Sequence, residues 1–245
     1  MSKIIAMWAH QRAMSTAFLR MMLERGDVTV IHEPLVTLID TGRVSVPDVD
    51  GSTVEVESEA ALFAQMRVLA RTRPVFFKDT VEHRYRYLFE HPEAIADFEH
   101  TFIVREPHRT ISSLYHMKPT ITCPEVGYEH LFEIFELVRG LKPGLKSSLP
   151  IVIDAERLVA DPRTVIARWC RETGLPFLDH ALTWQPEDRP EWQRTRQWHT
   201  GVSQSSGFSA QQHDYEATVD NHPMLKEYFE HHRPFYEQLV RHAIR

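Results

Sequence analysis

Glycine is scarce in this chain, nine in 245 residues, and no stretch matches G-x-x-x-x-G-K-[ST], which excludes a Walker-type phosphate loop. Cysteine is scarcer still. Cys123 and Cys170 are the two, too few for a disulfide framework, so the expected setting is the cytoplasm. No apolar run reaches the length of a membrane span. The run "IIAMWA" is too short for the apolar region of a signal peptide, and no small-residue cleavage site follows it. Basic residues are outnumbered, 28 against 34 acidic, for a net charge of −6, which argues against a general nucleic-acid binder. Internal repeats and low-complexity tracts are also missing.

What is present is a core. Hydrophobic residues make up 42% of the chain, and its length suits one α/β domain, expected to span 1–245. Five short apolar runs read as strands: "KIIAMWA" (3–9), "VTVIH" (28–32), "PVFFKD" (74–79), "HTFIVR" (100–105) and "PIVIDA" (150–155). They are continuous rather than alternating, the pattern of strands buried on both faces of a parallel sheet. Helical patterns lie between them, over 15–25, 57–71, 107–115, 129–139 and 163–173, the last stopped by Gly174 and Pro176. A final helix is expected over 224–242, with a break at Pro234. Strands alternating with helices make a doubly wound α/β fold, a mainly parallel central sheet flanked by helices, whose ligands bind at the carboxyl ends of the strands. Residues 40–56 and 184–222 read as irregular and polar, either solvated loops or lids.

The first strand runs into "HQRAMST" (10–16) and then a helix. The turn holds neither glycine nor lysine, yet its physics suits an anion. The N–H groups of Ala13, Met14 and the first helical turn point at whatever sits there. Ser15 and Thr16 add hydroxyls, and the guanidinium of Arg12 can grip two oxygens at once. The bland alternative is an N-cap by Ser15 with Arg12 in solvent. Met14 stands where a glycine would allow positive φ, so the turn is expected to take the shape of the first helical turn. A second grip follows the strand "HTFIVR". Ser113 lies eight residues after Arg105, inside a helix opened by Pro107, where it can face back toward Arg105.

Taken together, these pieces resemble the sulfotransferase superfamily, which uses 3′-phosphoadenosine 5′-phosphosulfate (PAPS) as sulfonate donor and releases 3′-phosphoadenosine 5′-phosphate (PAP). "HQRAMST" is similar to the family's 5′-phosphosulfate loop, with Arg12 on its basic position and Ser15 and Thr16 on its hydroxyl pair. "VREPHRTISSLYH" resembles the 3′-phosphate motif, with Arg105 and Ser113 on its two phosphate contacts. "FFKDT" resembles the strand whose lysine, here Lys78, lies near the transferred sulfonate, and "IDAERLVADP" resembles the family's acidic turn before its helix. The resemblance implies a P-loop-like sulfotransferase fold, PAPS without a metal, and a small-molecule acceptor. Three departures stand out. Gln11 and Met14 replace the loop's proline and glycine, Thr80 occupies the histidine position of the cytosolic enzymes, and the late R-K-G loop is missing. "WHTGVSQSSGF" (198–208) is the candidate replacement for that loop.

With Thr80 unable to act as a base, two side chains compete for the acceptor's proton. Glu33 in "VIHEPL" sits at the carboxyl end of the second strand, as in family branches with a glutamate base there, and His83 follows in "KDTVEH". Each has a plain structural alternative: Glu33 as the partner of an arginine, His83 as a surface histidine, Lys78 as the partner of Asp79. His32 is expected on the face opposite Glu33 if the strand extends that far. The pair His231–His232 shows no metal spacing. Trp184, Trp192 and Trp198 belong to the core or stack on a ligand. Two other functions remain open from these residues: a nucleotide-dependent phosphotransferase, and a non-catalytic nucleotide-binding protein.

Overall fold

The computed structural model describes residues 3–141, 150–209 and 214–244. The first apolar run forms β1 (Ile4–Ala9), followed by α1 (Ser15–Arg25) and β2 (Thr29–His32). Next come α2 (Pro34–Thr41), β3 (Val44–Pro47), β4 (Thr53–Val56) and α3 (Glu59–Leu69). β5 (Val75–Thr80), α4 (Arg86–Glu90), β6 (Glu99–Val104), α5 (Pro107–Met117) and α6 (Tyr128–Leu141) make the middle of the chain. β7 (Ile151–Asp154), α7 (Ala155–Ala160), α8 (Pro162–Thr173), α9 (Thr200–Ser203) and α10 (Pro223–Val240) complete it.

Five strands form one sheet in the order β2-β5-β1-β6-β7, and every neighbouring pair is parallel. Successive side chains of each strand enter opposite cores. Ile4, Ala6 and Trp8 of β1 pack on one face with Phe77, Phe102 and Phe63. Ile5, Met7 and Ala9 pack on the other with Phe18, Phe76 and Trp169. This two-faced burial explains why the strands read as continuous apolar runs. Two of the fully buried indoles, on opposite faces of the sheet, keep their polar atoms satisfied: Trp8 Nε1 donates to His100 Nδ1 (3.1 Å) and Trp169 Nε1 to Thr101 Oγ1 (3.0 Å). Removing either ring would leave a core cavity costing about 3–5 kcal/mol.

The topology fixes where a ligand can sit. β1 leads to β2 at one edge of the sheet, whereas β6 leads to β7 at the other. The loops after β1 and β6 therefore diverge, and a crevice opens outside the carboxyl ends of these two strands.

Two expectations need correction. Residues 40–56 are not irregular, because β3 and β4 pair there as an antiparallel hairpin. Val44, Val46 and Val56 turn inward onto the core while Gly51, at φ 86°, serves the turn. Nor does Pro234 break the last helix. α10 runs through it, held by buried Leu225, His232 and Leu239, so tertiary packing outweighs the lost backbone bond. Segment 184–222 is largely irregular apart from a 3₁₀ stretch, Pro190–Trp198, and α9, with 210–213 outside the described residues. Among the described residues, no helix is long and apolar enough to cross a membrane.

Candidate active site

The loop after β1 is held in a strained shape. Arg12 and Met14 have φ of 63° and 69°, in the left-handed region expected to be closed to Met14. The expectation fails because tertiary contacts impose the conformation, at a cost of about 1–3 kcal/mol per residue. Arg12 Nε donates to Ser113 Oγ (3.1 Å), Arg12 Nη1 donates to the Trp198 carbonyl (2.9 Å), and the Arg12 carbonyl accepts from Arg105 Nη1 (3.3 Å). His10 pins the same loop from below. Its Nδ1–H donates to the Gln11 carbonyl (2.8 Å), its Nε2 accepts the Arg105 backbone N–H (3.0 Å), and its ring stacks on Tyr128 at 4.0 Å. Burial, aided by the Arg105 and His232 charges and opposed by the Gln11 bond, lowers His10 to about 3. The ring is therefore neutral, as a bond accepted from the Arg105 amide requires.

The helix that leaves this loop differs from most of its counterparts. Of the five helices that follow a strand of the five-stranded sheet, three have carboxylate caps, and the five-residue α4 after β5 has none. Asp79 accepts from Leu35 N and Val36 N of α2, Glu106 from His108 N and Arg109 N of α5, and Asp154 from Glu156 N and Arg157 N of α7. α1 starts at Met14 with no side-chain cap and no acidic residue in its first turn. Its amides face the crevice, where an anion can meet both them and the helix dipole.

Beside it lies the buried pair Lys78–Glu33. Lys78 Nζ donates to Glu33 Oε1, and both side chains are more than nine-tenths buried. Glu33 follows β2 with φ 45°, and its N–H donates to the Lys78 carbonyl (2.7 Å). The strand does not extend to Glu33, and this backbone kink decides where His32 lies. Strand alternation stops at Glu33, so His32 is not on the opposite face: its Nε2 lies 3.7 Å from Glu33 Oε1. Burial pushes the Glu33 carboxyl up, but the Lys78 charge, with His32, His199 and the Lys78 hydrogen bond, outweighs it and holds the group at about 2. Lys78 is thus not the partner of Asp79, whose carboxylate is spent on α2.

His199 is the residue the sequence did not single out. It lies in the late segment, with Nδ1 3.1 Å from Thr16 Oγ1 and Nε2 3.1 Å from Thr195 Oγ1. Burial first, then the Lys78 and His32 charges, lowers it to about 3. Only its place in "WHTGVSQSSGF" hinted at a role. His83 sits at the rim instead, partly exposed and 3.0 Å from Asp40 Oδ1. Arg194 of the late segment reaches the same Asp40 (3.1 Å).

Together these groups line one cavity of about 840 Å³. Arg12 to Thr16, Glu33, Lys78, His83, Arg105 and Ser113 all contribute to its wall. The cations Arg12, Lys78 and Arg105 line the same cavity as the first turn of α1, and Arg105 also faces Glu156 at 3.7 Å. Trp184 and Trp192 are buried in the core, while Trp198 lines the cavity. Among the described residues, two donor groups are close enough to share a metal ion, His32–Glu33–His199 and Cys123–His231–His232. In the first, Glu33 is already neutralised by Lys78. In the second, His232 Nε2 bonds the Cys123 carbonyl (2.7 Å) and His231 faces Glu129 (3.2 Å).

A sequence model of the Sulfotransferase domain matches residues 2–243. The chain belongs to this sulfotransferase family. Its fold agrees with that of the sulfotransferase domain from the Synechococcus PCC 7002 olefin synthase, at a TM-score of 0.53 and 14% identity over 94% of both chains. The sulfotransferase domain from the curacin biosynthetic pathway superposes similarly, at a TM-score of 0.54 and 14% identity, covering 85% of this chain and 84% of that one. Among curated proteins, branched-chain-amino-acid aminotransferase-like protein 2 of Arabidopsis thaliana is 26% identical over 217 residues, 86% of this chain. Its homologue protein 1 is 26% identical over 216 residues, 85% of this chain. The sulfotransferase chain spans 37% of the length of each of these two relatives.

Proposed function

We propose that this sulfotransferase acts as one domain over residues 1–245 and moves a sulfonate group from PAPS to a hydroxyl or amine of a small-molecule acceptor. The observation that carries the reading is the uncapped amide end of α1, flanked by Arg12 and Lys78 and adjoining the ionised Glu33. That donor set fits a phosphosulfate: several oxygens of high negative charge, met by backbone N–H groups, hydroxyls and two fixed cations. Ala13, Met14, Ser15 and Thr16 would hold the 5′ group, and Arg105 and Ser113 the 3′-phosphate.

In this reading Glu33 takes the acceptor proton as the acceptor oxygen attacks sulfur. The bond from sulfur to the bridging oxygen breaks, and the electron pair stays on the phosphate of PAP, where Lys78 and Arg12 meet the growing charge. Lys78 then has two anions to choose from. As it turns toward the donor, Glu33 loses its counter-charge in a buried site, and its proton affinity rises. A weak base in the resting protein thus becomes a better one once the donor is bound.

A thermal-shift comparison tests the donor. Ligand at a hundredfold excess over Kd stabilises the native state by about 2.7 kcal/mol. PAP is expected to raise the melting temperature well above both buffer and ATP. An ATP shift equal to or larger than that of PAP would favour a phosphotransferase instead.

A further inference from the structure

His32 has no part in the chemistry above, yet packing alone does not account for it. Its side chain is 5% exposed at the end of β2. The Glu191 backbone in the late segment raises the ring's proton affinity, and Nε2 is buried with no hydrogen-bond partner. With no acceptor in hydrogen-bond reach of Nε2, the neutral ring keeps its proton on Nδ1 and presents a lone pair at Nε2. That lone pair faces Glu33 Oε1 across 3.7 Å. Two acceptors thus confront each other in a buried place, an arrangement that a single proton would satisfy. At rest the oxygen is held by Lys78, so Lys78 Nζ and His32 Nε2 are rival partners of the same atom.

We propose that His32 Nε2 is the second proton site of the reaction, receiving from Glu33 the proton that Glu33 takes from the acceptor. The proposal rests on the reading of Glu33 as the base. In the step, the proton on Glu33 moves to His32 Nε2. This leaves a carboxylate and an imidazolium in contact, while the sulfate ester and PAP keep the bonds described above. The Glu191 backbone favours the charged ring. Lys78 and Arg194 and the ring of His199, 5.1 Å away, are the other charged or titratable groups that face it, and Trp192 closes one side with its ring 6.3 Å away.

His32→Asn keeps a polar side chain beside the Glu191 backbone and removes Nε2. With aliphatic alcohol acceptors, kcat is expected to fall about ten- to a hundredfold, the lower part of what proton transfer contributes. With an acidic phenol such as 4-nitrophenol it should change by less than about twofold, because such a proton needs little help. The Kd for PAP should stay constant. Equal losses with both acceptors, or no loss with the alcohols, would overturn the relay. Glu33→Gln with the same acceptors separates the two ideas: an active Glu33→Gln removes the base and the relay together, while a dead Glu33→Gln beside a fully active His32→Asn removes the relay alone. One readout needs no acceptor and no folded His32 variant. In Lys78→Met, ¹⁵N imidazole NMR at neutral pH should show His32 Nε2 sharing a proton that it lacks in the wild-type protein. An unchanged, unprotonated Nε2 signal in Lys78→Met contradicts the proposal.

Discussion

Acid should unfold this protein early, and the histidines say how early. His10, His32, His199 and His232 are buried and neutral, and burial is the leading cause that lowers them from 6.5 to about 3, 4, 3 and 4. Below pH 6.5 the unfolded chain takes up protons at these positions and the native chain does not, so lowering the pH favours unfolding. Each group contributes up to about 1.4 kcal/mol per pH unit, and half of that at pH 6.5 itself, so all four together remove roughly 6 kcal/mol between pH 6.5 and 5. Typical domains hold only about 5–15 kcal/mol in total. Two of the four, His32 and His199, are enclosed by the late segment. If that segment opens by itself, His10 and His232 alone remove roughly 3 kcal/mol over the same interval. Glu33 adds to the loss only below 4.5, as pH falls toward about 2. Urea titrations followed by tryptophan fluorescence at pH 7.5, 6 and 5 measure the slope directly. A midpoint unchanged between pH 7.5 and 5 would refute the reasoning, because it would mean that the native protein takes up these protons too.

Other perturbations test the site residue by residue. Arg105→Ala should weaken PAP by about tenfold and adenosine 5′-phosphate hardly at all; a charged hydrogen bond contributes about 1.5–3 kcal/mol, and Glu156 competes for the same guanidinium. Calorimetry showing equal losses for both ligands would remove Arg105 from the 3′-phosphate site. Glu33→Gln and Lys78→Met should each destabilise by about 3–5 kcal/mol, since each leaves a buried charge alone, and the double variant should cost clearly less than the sum. Additive losses in chemical denaturation would mean that the pair does not form. His83→Asn should leave turnover within about twofold, because its partner is Asp40 at the rim; an inactive variant would move the base from Glu33 to His83.

How much of this was legible in the sequence follows from the range of the forces involved. The five sheet strands were readable because burial on both faces writes them as uninterrupted apolar runs. The hairpin of β3 and β4 was not, because only alternate valines in a polar stretch face the core. Arg12, Ser113, Lys78 and Glu33 could each be named, since phosphate chemistry favours few residue types. Their pairing could not. Glu33 meets Lys78 because β2 lies beside β5, and Arg12 meets Ser113 because the loops after β1 and β6 share a crevice. The left-handed backbone at Arg12, Met14 and Glu33 was hidden for the same reason, being imposed by distant partners against local preference. His199 was the most obscure, since its neighbour Thr16 lies at the other end of the chain.

The central claim is acceptor-dependent sulfonyl transfer with Glu33 as base. The direct measurement is PAP release from PAPS across a panel of alcohols, phenols and amines, with wild-type protein and Glu33→Gln side by side. At least one acceptor is expected to drive PAP release in the wild type. Glu33→Gln should slow it by about 10²–10⁴-fold while binding PAP as tightly as before. PAP release that no acceptor accelerates, or a Glu33→Gln variant that turns over as fast as the wild type, would contradict the account.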